Sequence, residues 1–309
     1  MLRFILKRIL LMIPVIICVV IIVFSLMYMT PGDPVDTILA GADPTPEARA
    51  QLREELGLNG GYFQRLARYF KGLLHGDLGL DYNSRMPVID IIKVAFPTTL
   101  KIAGTAILLA TVFGIIIGVW AAVKQYTFID TFATILALIG NSMPVFWMAL
   151  LLMLVFSLRL GWLPSTGMSS WKGLIMPAFC TSLGSLAAIA RMTRSSMLEV
   201  IRCDYISTAR AKGVLESKVI TRHALGNALI PVVTTIGIQF GQLLGGAVLT
   251  ETVFAIPGMG TTIVAAIKAR NTPIVQGGVL VCAISLCVLN LVVDLLYGFI
   301  DPRIKSQYK

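Results

Sequence analysis

Charge is scarce in this chain: only 14% of its 309 residues are Asp, Glu, Lys or Arg, where soluble domains carry about a quarter. A water-soluble domain of this size would need a charged exterior, so the shortage excludes that class. Histidine is nearly missing. His75 and His223 are the two present, which leaves no His-Glu-x-x-His pattern and no histidine cluster to hold a metal. No Gly-Lys dipeptide occurs anywhere, so the phosphate-cradling Walker loop is absent and energy has to enter from outside the chain. Four of the five cysteines, Cys18, Cys180, Cys282 and Cys287, lie inside apolar runs, and Cys203 lies in a basic loop. No pair suggests a disulfide, and they read as small buried hydrophobes. Acidic residues are the scarcer sign, 16 against 26 Lys and Arg, for a formal net charge of +10.

What is abundant is apolar length. The chain is 56% hydrophobic with a mean hydropathy of +0.83, and uncharged runs cover 9–32, 102–123, 131–158, 173–190, 224–250 and 271–293. Crossing a bilayer takes about 20 residues of helix, and barrel strands would be shorter and alternating. These runs therefore predict an all-α integral membrane protein with six transmembrane helices. The first run follows Arg3, Lys7 and Arg8, but it is longer than a signal-peptide core and ends in Thr30-Pro31-Gly32-Asp33-Pro34, which is no small-residue cleavage site. It reads as a retained anchor.

An even number of spans puts both termini on one side, and the distribution of Lys and Arg in short loops decides which. With the N-terminus inside, cytoplasmic segments gather fourteen basic and five acidic residues, whereas the long loop 33–97 carries seven basic and nine acidic ones. Both termini are thus expected in the cytoplasm of a multi-pass inner-membrane protein, and the basic excess is a topology signal that needs no nucleic acid. The expected organisation is an N-terminal helix (1–32), an external cap (33–97), a core (98–300) containing a cytoplasmic loop at 191–223, and a tail (301–309).

Within the cap, Asp43-Pro44-Thr45-Pro46 is turn-rich, Thr45 is placed to N-cap a helix over 47–56, and Gly57-Leu58-Asn59-Gly60-Gly61 breaks it. Phe63, Leu66, Phe70 and Leu73 recur at helical spacing and predict a second helix over 62–74. Trp162 and Trp171 in the loop 159–172 read as interfacial anchors. The stretch 252–267 is uncharged but interrupted by Pro257-Gly258, which suggests a re-entrant or interfacial element.

The most informative segment is 191–223. Leu198, Ile201, Tyr205 and Ala209 step at three or four residues and predict a helix over 199–212, with Arg210 and Lys212 in the last turn and Gly213 placed to stop it. Leu215 and Val219 mark a second stretch that leads into the fifth span. Such a pair suits docking into a partner's groove; a basic loop lying on anionic lipid is the plainer alternative. Ser207-Thr208-Ala209-Arg210-Ala211-Lys212-Gly213, with His223-Ala224-Leu225-Gly226 following, resembles the coupling loop of ATP-binding-cassette importer permeases. It keeps the family's Ala209, Gly213 and Leu225 in register, with Ser207 and Thr208 for Glu-Ala, His223 for Ile and Gly226 for Pro, as in the peptide-importer branch. Thr30 to Pro34, Gly76-Asp77-Leu78-Gly79, Glu251-Thr252-Val253-Phe254-Ala255-Ile256-Pro257-Gly258-Met259-Gly260 and Ile300-Asp301-Pro302-Arg303 resemble that branch in the same order.

The resemblance implies a type I importer permease of the dipeptide/oligopeptide family, in its first-permease form with the larger cap. It implies a second homologous permease, two ATPase subunits that carry ATP and Mg, an extracytoplasmic substrate-binding protein, and no cofactor, metal or catalytic residue on this chain. The ATPase-coupling residues would be Ser207 to Gly213 with Val214, Leu215, His223 and Leu225, and Glu251, Pro257 and Gly258 would be external gate candidates. Polar groups inside spans are costly and tend to face a bundle interior or a cavity, so Asn141, Ser142, Gln239, Gln242 and Asn290 are pathway candidates. Interhelical hydrogen bonding is the commoner use of Asn and Gln. Cargo stays open between peptides, glutathione and a nickel complex. A channel or secondary transporter is the alternative of another class, and a membrane-embedded enzyme lacks the paired acids or nucleophile it would need.

Overall fold

The computed structural model describes residues 2–39 and 45–300. The turn at Asp43-Pro44, the Asp301-Pro302-Arg303 motif and the tail 301–309 lie outside the described residues. Every regular element described is a helix, apart from one isolated antiparallel bridge between Leu80 and Pro87. In chain order they are α1 (Leu2–Met29), α2 (Pro34–Ile38), α3 (Pro46–Glu55), α4 (Tyr62–Leu74), α5 (Val88–Val123), α6 (Phe128–Ser142) and α7 (Val145–Leu152), which continues as a π-helical turn over Met153–Arg159. Then follow α8 (Lys172–Ile201), α9 (Asp204–Ala211) and α10 (Glu216–Lys218), continued by a π-helical turn over Val219–Ala224, and α11 (Leu225–Gly246), α12 (Val248–Val253), α13 (Met259–Lys268) and α14 (Thr272–Ile300).

Among the described residues, five helices are long and apolar enough to cross a membrane: Ile5–Met29, Val88–Val123, Lys172–Ile201, Glu216–Gly245 and Thr272–Leu295. The all-α architecture is the expected one, but the run 131–158 is divided between α6 and α7. Met143 adopts ψ 126 ahead of Pro144, because the proline ring disfavours a helical residue before it. Two further boundaries differ from the uncharged runs. α5 starts at Val88, well ahead of residue 102, with Asp90 in its first turn complementing the helix dipole. α8 carries on past Ala190 to Ile201. Uncharged runs mark the part of a helix that lipid tolerates, and charged turns extend it on either side.

The chain divides into two compact units. One is Leu100–Ile256 with the start of α1 up to Leu6 and the last helix from Val288 onward. α8 is its hub, with α6, α7 and α11 packed on it. Small residues make the close approach possible: Ala103, Ala106 and Ala110 are fully buried in a cluster with Ile189, Val232 and Leu244. A Cβ on Gly118 would come within 2.6 Å of the Ala190 carbonyl oxygen, so only glycine fits there.

The other unit is Lys7–Thr99 with Pro257–Cys287. Thr45 N-caps α3 by accepting the Ala48 N–H at 3.3 Å, and α4 covers the predicted 62–74. The sequence motifs of this unit are its fastenings. Asp33 N-caps α2 by accepting the Val35 N–H at 3.0 Å and also pairs with Arg53. The Arg270 guanidinium donates to the Pro31 carbonyl oxygen. Asp77 Oδ1 accepts the Gly79 N–H at 2.8 Å, and the Gly79 carbonyl accepts the Val88 N–H at 3.0 Å, which sets the start of α5.

Candidate functional site

The segment between α8 and α11 is built from a stop, a short helix and a second stop. Arg202 and Cys203 close α8 by donating their N–H groups to Glu199 and Val200, and Cys203 turns extended (ψ 146) before α9 begins with Asp204 in its first turn. The helix predicted over 199–212 is therefore broken at Arg202–Cys203. Leu198 and Ile201 belong to α8, although they still join the same apolar cluster as Ala209.

α9 ends where expected. Gly213 takes φ +73, its N–H donates to the Arg210 carbonyl at 2.9 Å, and the Val214 N–H donates to the Ala209 carbonyl at 3.2 Å. This double bond around a left-handed residue is the Schellman stop, completed by apolar contact between the flanking positions; Ala209 and Val214 pack on one cluster. Among the described residues, no atom beyond its chain neighbours lies within 4 Å of where a Gly213 Cβ would sit. Backbone conformation, and not space, is what demands glycine there.

Beneath this turn Ile206, Val219, Ala224 and Met197 are fully buried together with Ala122 and Ala228. Above it Ser207, Thr208, Arg210, Ala211, Lys212 and Gly213 are exposed, as is Leu215 at 67%. The two arms are clasped by a fork: Arg210 Nε donates to Glu216 Oε2 at 3.1 Å and Nη2 to Oε1 at 2.7 Å. Asn227 Nδ2 donates to the Tyr205 hydroxyl at 2.9 Å and to the His223 carbonyl at 3.2 Å. His223 and Leu225 are half-buried at the root of the segment. All the coupling candidates thus lie on one structure, an apolar anchor under a polar, glycine-ended tip with one exposed leucine.

One contact near it was counted in the sequence only as charge. Arg194 Nε and Nη2 donate to Asp130 Oδ1 and Oδ2 at 2.6 and 2.7 Å, and Asp130 also accepts the Tyr126 N–H at 3.1 Å. The carboxylate is nearly buried, with 8% of its side chain exposed, and it fastens the start of α6 to α8. A 64-residue separation gives no sequence signal for it.

The pathway candidates do not converge into one network. Gln239 Nε2 donates to Ser185 Oγ at 3.3 Å, tying α11 to α8, which is the interhelical use of glutamine. Ser142, Gln242 and Asn290 are exposed, and among the described residues no hydrogen bond joins them. The Asn141 side chain lies outside the described ones.

The gate candidates fall in different units. Glu251 is fully buried in α12. The Ile256 N–H donates to its carbonyl at 2.8 Å and the Ala255 N–H to that of Thr252 at 3.2 Å, so the same helix stop recurs here with Ala255 at φ 49 in place of glycine. Phe254 and Ile256, each 1% exposed, lock it into a cluster with Ile102, Met176 and Cys180. In the other unit Gly258 N-caps α13: its N–H donates to Thr261 Oγ1 at 3.0 Å, and the Met259 N–H donates to Thr99 Oγ1 at 2.8 Å. Pro257 is exposed. The expected interruption at Pro257-Gly258 is the gap between α12 and α13.

Residues 114–306 match the family described as binding-protein-dependent transport system inner membrane component, and residues 1–103 match the N-terminal family of the same membrane components. The chain is similar to the dipeptide transport system permease protein DppB of Alkalihalophilus pseudofirmus, 42% identical over 99% of this chain and 100% of the relative. DppB of Escherichia coli is also 42% identical with the same coverage. The glutathione transport system permease protein GsiC of Salmonella paratyphi A is 41% identical, again over 99% and 100%. Among solved structures, an inward-facing form of the MetNI methionine ABC transporter aligns with a TM-score of 0.56 and 19% identity, covering 69% of this chain and 97% of that one. That likeness concerns the fold.

Proposed function

The chain belongs to the family of binding-protein-dependent transport system inner membrane components, and from that membership we propose that it is one of two permease subunits of an ATP-driven importer of di- and oligopeptides. It forms half of the translocation pathway. A second homologous permease supplies the other half, two cytoplasmic ATPase subunits carry ATP and Mg, and an extracytoplasmic binding protein delivers cargo. Both termini face the cytoplasm, as the basic residues of the short loops require.

The observation that carries this reading is the anchored tip at 204–219. Ile206 and Val219 bury fully beneath a turn whose outer residues are exposed, so a partner gripping Ser207, Thr208, Ala211, Lys212 and Leu215 moves the buried anchor with it. Because that anchor shares its cluster with Met197 of α8 and with Ala224 and Ala228 at the head of α11, motion of the tip is passed to two spans without a flexible joint. Closure of the ATPases would bind one arrangement of these spans better than another and shift their population. Gln239, Gln242, Ser142, Asn141 and Asn290 remain the proposed polar groups of the path, with Glu251, Pro257 and Gly258 at its external gate.

Glutathione is a second cargo reading, favoured by the near-equal identity to GsiC and DppB. The test is ATP hydrolysis by the full complex in lipid with its binding protein. Stimulation by a dipeptide mixture supports the peptide reading, stimulation by glutathione alone moves the cargo, and hydrolysis that never responds to a loaded binding protein overturns the importer assignment.

A further inference from the structure

We propose that the cavity of about 190 Å³ walled by α1, α4, the 76–79 turn and the first turns of α14 is a binding site for the phosphodiester headgroup of an anionic membrane phospholipid. All of its lining residues belong to one unit. Two residues of its wall carry polar groups without protein partners among the described residues. The Gln276 side chain lines the cavity while only 6% of the residue is exposed, and among the described residues nothing hydrogen-bonds to its amide. The Tyr69 hydroxyl is buried with no hydrogen-bond partner among the described residues, and burial raises its pKa, which keeps it a donor. Buried polar groups nearly always have a partner, so the unpartnered Tyr69 hydroxyl, with the Gln276 amide on the same wall, points to a ligand that supplies acceptors.

The charge of the wall agrees. Arg65 and Arg68 line it with neutral protein partners: Arg68 Nη1 donates to the Gly57 carbonyl at 2.7 Å, and the Arg65 guanidinium lies 5.3 Å over the Tyr28 ring. Asp77 is the one carboxylate on the wall, and its Oδ1 already accepts the Gly79 N–H. A phosphate offers the acceptor oxygens that two guanidiniums, a phenol and an amide require.

Depth selects a lipid over a soluble anion. Phe24 lies five residues before the end of α1, and Gln276 four residues after the start of α14, which at 1.5 Å per residue is ~6–8 Å inside the helix ends. That is headgroup level. Tyr28 and Tyr62, 5.2 Å apart edge-to-face, with Arg65 beside them, make the aromatic and snorkelling belt seen at that level. Phe24 belongs to α1, an anchor helix with only 11% of its most apolar window buried, so acyl chains have an apolar flank to lie along.

The test is native mass spectrometry of the assembled transporter purified with dioleoyl phosphatidylglycerol. One phosphatidylglycerol per complex should survive activation that strips the others, and Tyr69→Phe, Gln276→Leu and Arg65→Gln should each lower its occupancy about fivefold, as the loss of one hydrogen bond implies. Tyr69→Phe keeps the ring and hence the packing, so it carries the test if another variant fails to assemble. Equal occupancy in wild type and Tyr69→Phe would overturn the proposal, and so would displacement of the bound lipid by millimolar dipeptide or glycerol phosphate, which would make this a site for soluble anions.

Discussion

Two of the turns organised around a carboxylate, at Glu216 and at Asp81, are held in opposite ways. At the proposed coupling tip Glu216 grips Arg210 in full view of solvent, with 55% and 40% of the two side chains exposed, while apolar residues are buried beneath. In the cap Asp81 is buried and receives the N–H groups of Asn83 and Ser84 at 3.1 and 3.0 Å, together with the Ser84 hydroxyl and the Asn271 amide. An exposed ion pair contributes little and is screened by salt, whereas each donor on a buried carboxylate counts. The tip is thus free to exchange its surface contacts for a partner's, and the Asp81 loop is built to stay shut.

Removing the buried hub should have the largest effect. Asp81→Ala leaves the Asn271 amide and two backbone N–H groups without an acceptor, and is expected to cost about 3 kcal/mol, read as protease nicking between 77 and 87 in an otherwise inserted protein. Unchanged nicking would show that the loop is held by something else. Burial would raise the Asp81 pKa, but the hydrogen bonds from Ser84, Asn83 and Asn271 outweigh it and hold the value below the ordinary one. The stabilisation is therefore complete above the usual aspartate pKa of about 4 and is lost as pH falls through the lower folded value. Wild-type protection should fade below about pH 4, and the Asp81→Asn variant should show a flat profile there.

Next comes the apolar anchor of the tip. Ile206→Ala should destabilise by about 2–4 kcal/mol, seen as faster exchange of the backbone amides of α9, with ATPase subunits released in pull-down. Retained docking at wild-type strength would break the contrast between anchor and surface. Arg210→Gln should be milder, changing ATPase affinity less than about twofold at physiological salt. A large salt-dependent loss would instead assign the fork a direct contact with the partner. The smallest effect concerns the second helix stop: Ala255 sits at φ 49, where glycine carries no Cβ penalty, so Ala255→Gly should leave thermal stability equal or raised by up to about 1 kcal/mol.

The contrast also explains what could be read in advance. Gly213 was legible as a stop because a basic last turn followed by glycine is a local pattern, and Thr45 as a cap for the same reason. The break at Cys203 was not, since neither proline nor glycine marks it and α8 simply outruns its uncharged stretch. Met143 lies just ahead of Pro144, yet the apolar run across it hid the division into α6 and α7. Least visible were the distant ties: Asp81 meets Asn271 across 190 residues, and Asp130 meets Arg194 across 64. In the sequence each was only a charge in a loop or an amide at the edge of an apolar run, because the partner is brought in by the packing of helices and by no local periodicity.

A stiff, glycine-ended tip is proposed to pass ATPase motion to α8 and α11, and Gly213 isolates that role. Among the described residues, a Cβ added at Gly213 would meet nothing beyond its chain neighbours within 4 Å while φ is +73, so Gly213→Asn, which tolerates the left-handed conformation, and Gly213→Val, which does not, separate backbone shape from bulk. The measurement is peptide uptake per ATP hydrolysed in proteoliposomes containing the whole transporter. Near-normal coupling in Gly213→Asn with loss of most uptake per ATP in Gly213→Val, both variants inserting equally, is the predicted result; normal coupling in Gly213→Val would contradict the account.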